Sequence, residues 1–168
     1  TIDNDVWGTD VSFGFDSAVT IATDAIDRLH STASSHQRVM VIEVMGHKAG
    51  WIALYSGMAG GGDVILIPEL SYDIHNIGNT IIERLKKGKP YSIVVVAEGI
   101  QTMDGKKAAE YIAQEIEYET GFETRETVLG YIQRGGSPTP YDRNLATRMG
   151  GHATELIASG QFGRMVSL

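Results

Sequence analysis

Short apolar runs, each too short to be a helix and each bounded by turn residues, constrain this chain more than any other feature. Val39-Met40-Val41-Ile42-Glu43-Val44-Met45, Val64-Ile65-Leu66-Ile67-Pro68 and Ile93-Val94-Val95-Val96 are continuous rather than alternating. Strands of this kind are buried on both faces, which happens in a parallel sheet covered by helices on each side. Helical periodicity fills the intervals. Phe15, Val19, Ala22, Ile26 and Leu29 recur at spacings of three and four over residues 15–30. Further helices are expected over 50–59, 77–87, 106–118 and 144–158. Residues 31–35 read as a polar loop, 127–129 as the start of a strand and 165–168 as the start of another. Met40, Met45 and Trp51 read as core. The expected fold class is α/β, a three-layer sandwich with a largely parallel sheet.

In such folds ligands sit beyond the carboxyl ends of the strands. Those ends carry Met45-Gly46-His47-Lys48, Glu98-Gly99 and Tyr131-Ile132-Gln133-Arg134-Gly135-Gly136. Composition limits what the ligand can be. Fourteen Lys and Arg against 21 Asp and Glu give a net charge of −7, which disfavours a general nucleic-acid binder but leaves room for a local anion pocket. There is no cysteine, so disulfides, thiolate metal sites and cysteine nucleophiles drop out. No apolar run approaches the length of a membrane span. The phosphate-loop, dinucleotide-fold, zinc-protease and nucleophile-elbow motifs are all missing.

The remaining polar residues each have two readings. Asp3 and Asp5 fall on one side of an extended segment, where they organise a divalent cation or supply a base, or else they cap a turn. Arg38 and Arg125 precede strands and Arg134 follows one. Their planar guanidinium groups suit a phosphate, or surface ion pairs. Glu98 can accept sugar hydroxyls or cap the turn after its strand, and His47 with Lys48 can meet an anion. No histidine has metal-ligand spacing, so no metal-ligating set is assigned.

Thr1-Ile2-Asp3-Asn4-Asp5, Glu43-Val44-Met45-Gly46, Pro68-Glu69 and Gly130-Tyr131-Ile132-Gln133-Arg134-Gly135-Gly136-Ser137-Pro138 resemble, in order and spacing, the bacterial-type 6-phosphofructokinase family. The likeness runs along essentially the whole chain. It implies a fragment of a two-domain subunit: a hinge-side catalytic strand and loop at 1–13, a sugar-phosphate domain at 14–126 and a return into the nucleotide-binding domain at 127–168. The implied reaction is glycolytic phosphoryl transfer to the 1-hydroxyl of fructose 6-phosphate, giving fructose 1,6-bisphosphate. Asp3 resembles the catalytic base and Thr1 the residue beside it that meets the sugar and the transferred group. Asp5 resembles an aspartate of the metal-proximal network. Met45, Gly46 and His47 resemble the segment under the sugar, and Glu98 the carboxylate on its hydroxyls. Tyr131 and Arg134 resemble same-subunit contacts to the sugar phosphate, while Arg38 and Arg125 resemble arginines that arrive from a neighbouring subunit.

The resemblance further implies Mg²⁺, ATP as donor with pyrophosphate as the alternative, a homodimer or homotetramer, and the cytoplasm. No nucleotide-binding residue is assigned, and a chain of this extent is expected to lack useful turnover by itself. A non-catalytic sugar-phosphate binder is the other alternative. Three departures stand out. His47 occupies the place of an arginine implicated in transfer, Tyr131 the place of a histidine, and residues 99–109 are longer than in the ATP enzymes. His30 and Asp63 replace an arginine and a glutamate of the effector site, whereas Lys87 and Lys89 match its basic positions, so altered regulation is expected.

Overall fold

The computed structural model describes residues 1–168, with the side chain of Asp104 excepted. Four parallel strands form one sheet: β1 (Val39–Val44), β2 (Val64–Leu66), β3 (Ser92–Ala97) and β4 (Thr124–Val128), in the order β2-β3-β1-β4. β1 is central, in register with β3 from Val39↔Ser92 to Val44↔Ala97 and with β4 from Val39↔Thr124 to Glu43↔Val128. Every residue of β1 and β3 is buried, as their unbroken apolar runs require.

Five helices accompany the sheet: α1 (Phe15–His36), α2 (Trp51–Ala59), α3 (Ile74–Lys86), α4 (Ala108–Thr120) and α5 (Pro140–Ala158), the last packed against α1. The chain moves one way along the sheet from β1 to β2 and the other way from β2 through β3 to β4. Crossovers of a single hand then place α2 against one face and α3 and α4 against the other. α1 packs on α2, α3 packs on α4, and the three-layer α/β class is the observed one. Gly57 of α2 lets helix and sheet close up, since a Cβ there would lie 2.8 Å from Ile65 Cδ1.

Several expected boundaries move, each for a local reason. The predicted loop at 31–35 is the last turn and a half of α1. Ser31 and Ser35 satisfy their hydroxyls on the carbonyls of Arg28 and Thr32, Ala33 is fully buried, and the helix stops at Gln37 in the left-handed region with φ 50°. α3 starts earlier than predicted because the Asp73 side chain accepts from His75 N as its N-cap. β4 starts at Thr124 rather than Thr127. It is an edge strand of polar, mostly exposed residues, so an apolar run does not reveal it. Arg125 therefore lies within a strand, not before one. The expected division at residue 126 falls inside β4, which pairs with β1 through Val128.

Two further expectations are corrected. Trp51 is 41% exposed at the start of α2, where Ile52, Ala53, Ser56 and Gly57 form the buried face. Residues 165–168 form no strand; Leu168 O accepts from Asp10 N at 2.7 Å.

Candidate functional site

The connections leaving β1 and β3 depart in opposite directions, so their carboxyl ends flank the switch point where an open α/β sheet places its ligand. Two loops meet there. Glu98, directly after β3, accepts with Oε1 from Gly46 N at 3.1 Å and His47 N at 2.7 Å, while its own N–H donates to Val44 O at 2.9 Å. Glu69 Oε1 accepts from Gly50 N at 2.8 Å at the other end of the same loop. Two carboxylates thus hold residues 46–50 by their backbone amides. A Cβ at Gly99 would sit 2.0 Å from His47 O, and one at Gly46, where φ is 151°, would sit 2.3 Å from Ala49 O. Only glycine permits this approach.

Glu98 therefore has a role the sequence did not reveal. Oε1 organises the loop and Oε2 makes no hydrogen bond among the described residues; the side chain is exposed. Met45 is buried under the crevice, and its N–H faces Gln133 Oε1 at 3.4 Å. Gln133 belongs to a 3-10 turn at Gly130–Arg134 that follows β4, is 1% exposed, and donates from Nε2 to Gly130 O at 3.1 Å. It joins the turn bearing Tyr131 and Arg134 to the loop bearing Gly46 and His47. Tyr131 and Arg134 are exposed, with the guanidinium carbon 5.1 Å from the ring centroid, a cation–π contact that keeps both at the surface.

Thr1 and Asp3 also come together. Thr1 Oγ1 donates to Asp3 Oδ2 at 2.9 Å and accepts from Asp3 N at 3.1 Å. Asn4 turns the chain with φ 56°, and its Oδ1 receives Ser12 N at 2.8 Å and Ser12 Oγ at 3.3 Å. The segment is bent at Asn4, so the alternation that put Asp3 and Asp5 on one side of an extended strand does not hold. Among the described residues no group of three or more His, Asp or Glu side chains is placed to hold a metal ion.

The start of α1 is tied to the start of α5 by Asp142, a buried carboxylate in the first turn of α5. It accepts from Gly14 N at 2.9 Å, Ser17 N at 2.8 Å and Ser17 Oγ. Thr139, the N-cap of α5, donates from N to Ser17 Oγ at 3.0 Å and from Oγ1 to Asp16. Thr139-Pro140-Tyr141-Asp142 is the sequence trace of this junction, an N-cap followed three residues later by an acid. Glu43 was missed as well. It is buried in β1, and its Oε2 accepts from Ala109 N at 2.8 Å at the start of α4.

The arginines do not converge within one chain. Arg38 and Arg125 both pair with Glu123 Oε1, at 3.2 and 2.8 Å, at the amino end of the sheet. Arg134 lies beyond the carboxyl end, about 20 Å away along a six-residue strand. Arg38 is half-buried, and its Nε is buried without a hydrogen-bond partner. A single pocket built from all three arginines of one chain is excluded.

A wider cleft of about 550 Å³ adjoins the crevice, between the segments that follow β2 and β3. Tyr72 bridges these segments by donating its hydroxyl to Gln101 O. Partial burial, then the neighbouring Tyr111 and Glu115, raise the Tyr72 pKa above its ordinary value.

Comparison with known proteins decides the family. The phosphofructokinase profile matches residues 1–157. The chain belongs to the phosphofructokinase family. All 168 residues are 88% identical to an ATP-dependent 6-phosphofructokinase 3 of Bacteroides thetaiotaomicron, of which they cover 50%. The whole chain is also 50% identical to a pyrophosphate–fructose 6-phosphate 1-phosphotransferase of Streptomyces coelicolor, covering 54% of it. Among solved phosphofructokinases, that of Saccharomyces cerevisiae superposes with a TM-score of 0.86 at 34% identity, over 95% of this chain and 22% of the other. The pyrophosphate-dependent enzyme of Nitrosospira multiformis gives 0.84 at 30% identity, over 95% and 44%. The chain spans about half the length of the curated phosphofructokinases it matches.

Proposed function

We propose that this chain supplies the sugar-phosphate half of a 6-phosphofructokinase, which transfers a phosphoryl group to the 1-hydroxyl of fructose 6-phosphate in glycolysis. The observation that carries the reading is the crevice at the β1–β3 switch point. Its floor of Met45, Gly46 and His47 is held by Glu98 and joined through Gln133 to the Tyr131–Arg134 turn. A glycine-lined floor, a free carboxylate oxygen and an exposed guanidinium suit a phosphorylated polyol.

Asp3 is the proposed base, taking the proton of the attacking hydroxyl. Thr1 Oγ1, already on Asp3 Oδ2, orients that carboxylate and meets the sugar and the arriving group. Glu98 Oε2 accepts sugar hydroxyls, and Arg134 and Tyr131 bind the resident phosphate by charge and by a phenolic donor. Transfer of this kind depends on positioning and charge stabilisation. Arg38 and Arg125 serve the crevice of a second copy, because they lie at the wrong end of their own sheet; this is the basis for a homodimer or homotetramer. Residues 1–13, 14–126 and 127–168 are the proposed catalytic loop, sugar-phosphate domain and return segment.

Mg²⁺ fits the donor set when it arrives with the phosphoryl donor, since it is usually bound by one or two carboxylates plus phosphate oxygens. Asp5, of the proposed metal-proximal network, is the carboxylate that would hold it while Asp3 serves as the base, and the ion would supply charge neutralisation on the transferred oxygens. ATP is the donor favoured by the 88% identical relative; the pyrophosphate-dependent relatives support the second reading. The chain alone is proposed to lack useful turnover, and the cytoplasm follows from the glycolytic assignment. Asp63, at the proposed effector position, is committed to Arg84 at 2.6 Å and to Ile93 N at 2.9 Å, which supports altered regulation.

The test is the full-length gene product assayed with fructose 6-phosphate and Mg²⁺, with ATP and with pyrophosphate in turn. Formation of fructose 1,6-bisphosphate with ATP is the expected result. Turnover with pyrophosphate alone would reassign the donor. No phosphorylation with either donor, by a protein that still binds the sugar phosphate, would establish the non-catalytic alternative.

A further inference from the structure

The turn that follows β4 divides its residues sharply between solvent and interior. Tyr131, Ile132 and Arg134 are exposed, whereas Gln133 between them is 1% exposed. A long polar side chain is seldom buried so completely without specific partners. Gln133 has two, on different segments. Oε1 accepts from Met45 N at 3.4 Å, across 88 positions of sequence, and Nε2 donates to Gly130 O at 3.1 Å within its own turn. A backbone N–H only donates and a carbonyl only accepts, so these partners fix which way the amide faces.

The strand pairing explains why a side chain is needed at this point. β1 and β4 pair as far as Glu43↔Val128, and Leu129 N still donates to Glu43 O at 3.0 Å. In a parallel ladder the next amide of β1 to face that neighbour belongs to Met45. By then the backbone has left the strand, turning at Gly130 with φ 54° into the 3-10 turn. Gln133 therefore extends the β1–β4 ladder by one rung through its side chain. Gly46 and His47 follow directly on one side of that rung, and Arg134 on the other.

We propose that Gln133 is a positioning residue for phosphoryl transfer, its amide setting the spacing between the loop under the sugar and the turn that presents Arg134 to the sugar's phosphate. The inference rests on the sugar-phosphate reading of the crevice. Gln133 itself touches no substrate. A sugar held by its phosphate at one end and its hydroxyls at the other brings the attacking hydroxyl to the base only when both ends are correctly spaced. A misplacement of about 1 Å can cost on the order of 10²-fold in rate. Because the role is exercised through Arg134, it disappears once Arg134 no longer grips the phosphate.

A double-mutant cycle in the full-length enzyme provides the test. Gln133→Met keeps the unbranched shape of the side chain but loses both hydrogen bonds. It is expected to lower kcat/KM for fructose 6-phosphate about tenfold to hundredfold, with KM for ATP within about twofold of wild type. In an Arg134→Ala background the same substitution is expected to cost less than about threefold. Should Gln133→Met fail to fold, Gln133→Glu carries the same cycle, since it keeps an acceptor for Met45 N while setting an oxygen against Gly130 O. An unchanged kcat/KM, a KM for ATP raised as far as that for the sugar, or an equal loss with and without Arg134 overturns the positioning role while the sugar-phosphate reading stands. A wild-type protein that neither phosphorylates nor binds fructose 6-phosphate overturns both.

Discussion

At the scale of single residues, the crevice depends on atoms that have no room to move. Gly99→Ala would force a methyl group against His47 O, where the approach is already 2.0 Å from an ideal Cβ position. The expected cost is roughly 2–4 kcal/mol of stability, read as a lower denaturant midpoint, with a raised KM for the sugar phosphate. Glu98 separates loop-holding from ligand-binding. Glu98→Gln keeps an oxygen acceptor for the Gly46 and His47 amides and is expected to leave the denaturation midpoint nearly unchanged while weakening sugar binding. Glu98→Ala strips the amides of their acceptor and is expected to cost about 1–3 kcal/mol in addition.

Tyr72 gives a pH dependence with a defined sign. Its folded pKa is raised above the ordinary tyrosine value, by burial first and then by Tyr111 and Glu115. The folded state therefore resists ionisation, and stability falls as pH rises from the unfolded value toward the folded one. Tyr72→Phe should flatten that alkaline decline, as measured by denaturation across the range. An identical decline in the variant would remove Tyr72 as its cause.

Elements show how far sequence reasoning reaches. The apolar runs identified β1, β2 and β3; β1 and β3 are buried throughout and write that burial into their composition, while β2 carries the same kind of run half-buried at the sheet edge. They could not identify the full extent of β4, whose Thr-Arg-Glu-Thr-Val is held by pairing with β1 and not by burial. The serines of the last turns of α1 hid its length for a related reason, since their hydroxyls bond back to the helix. Strand ends were legible, so Met45, Gly46, His47, Glu98, Tyr131 and Arg134 could be read as candidates lying beyond them. Gln133, Asp142 and Glu43 were not given roles, because a buried polar side chain is identified by its partner, and partners here lie 66 to 128 residues away.

The α1–α5 junction has its own consequence. α5 buries little beyond Asp142 and Leu145, so its docking relies on Asp142. Asp142→Ala should leave Gly14 N and Ser17 N without their acceptor and cost about 2–4 kcal/mol. Hydrogen exchange should then speed up in α5 and the first turn of α1 while the central sheet stays protected. Uniform loss of protection would argue against a local junction.

Charged groups stand at both ends of the sheet, Glu98 and Arg134 beside the crevice at one and Arg38, Arg125 and Glu123 at the other. In the proposed oligomer a second copy would lend its arginines and use both ends. Mixing full-length Asp3→Ala subunits with full-length Arg125→Ala subunits should then recover activity in hybrids, because one composite site regains both groups. Failure to recover activity in hybrids shown to form would argue against sites shared between subunits.

The proposed mechanism centres on Asp3 as the group that receives the proton of the sugar hydroxyl. The most direct measurement is kcat for fructose 6-phosphate in the full-length Asp3→Ala enzyme, with KM and folding checked alongside. A fall in kcat of about 10²–10⁴-fold, with sugar-phosphate binding retained, is the predicted result. A kcat near that of wild type would contradict it.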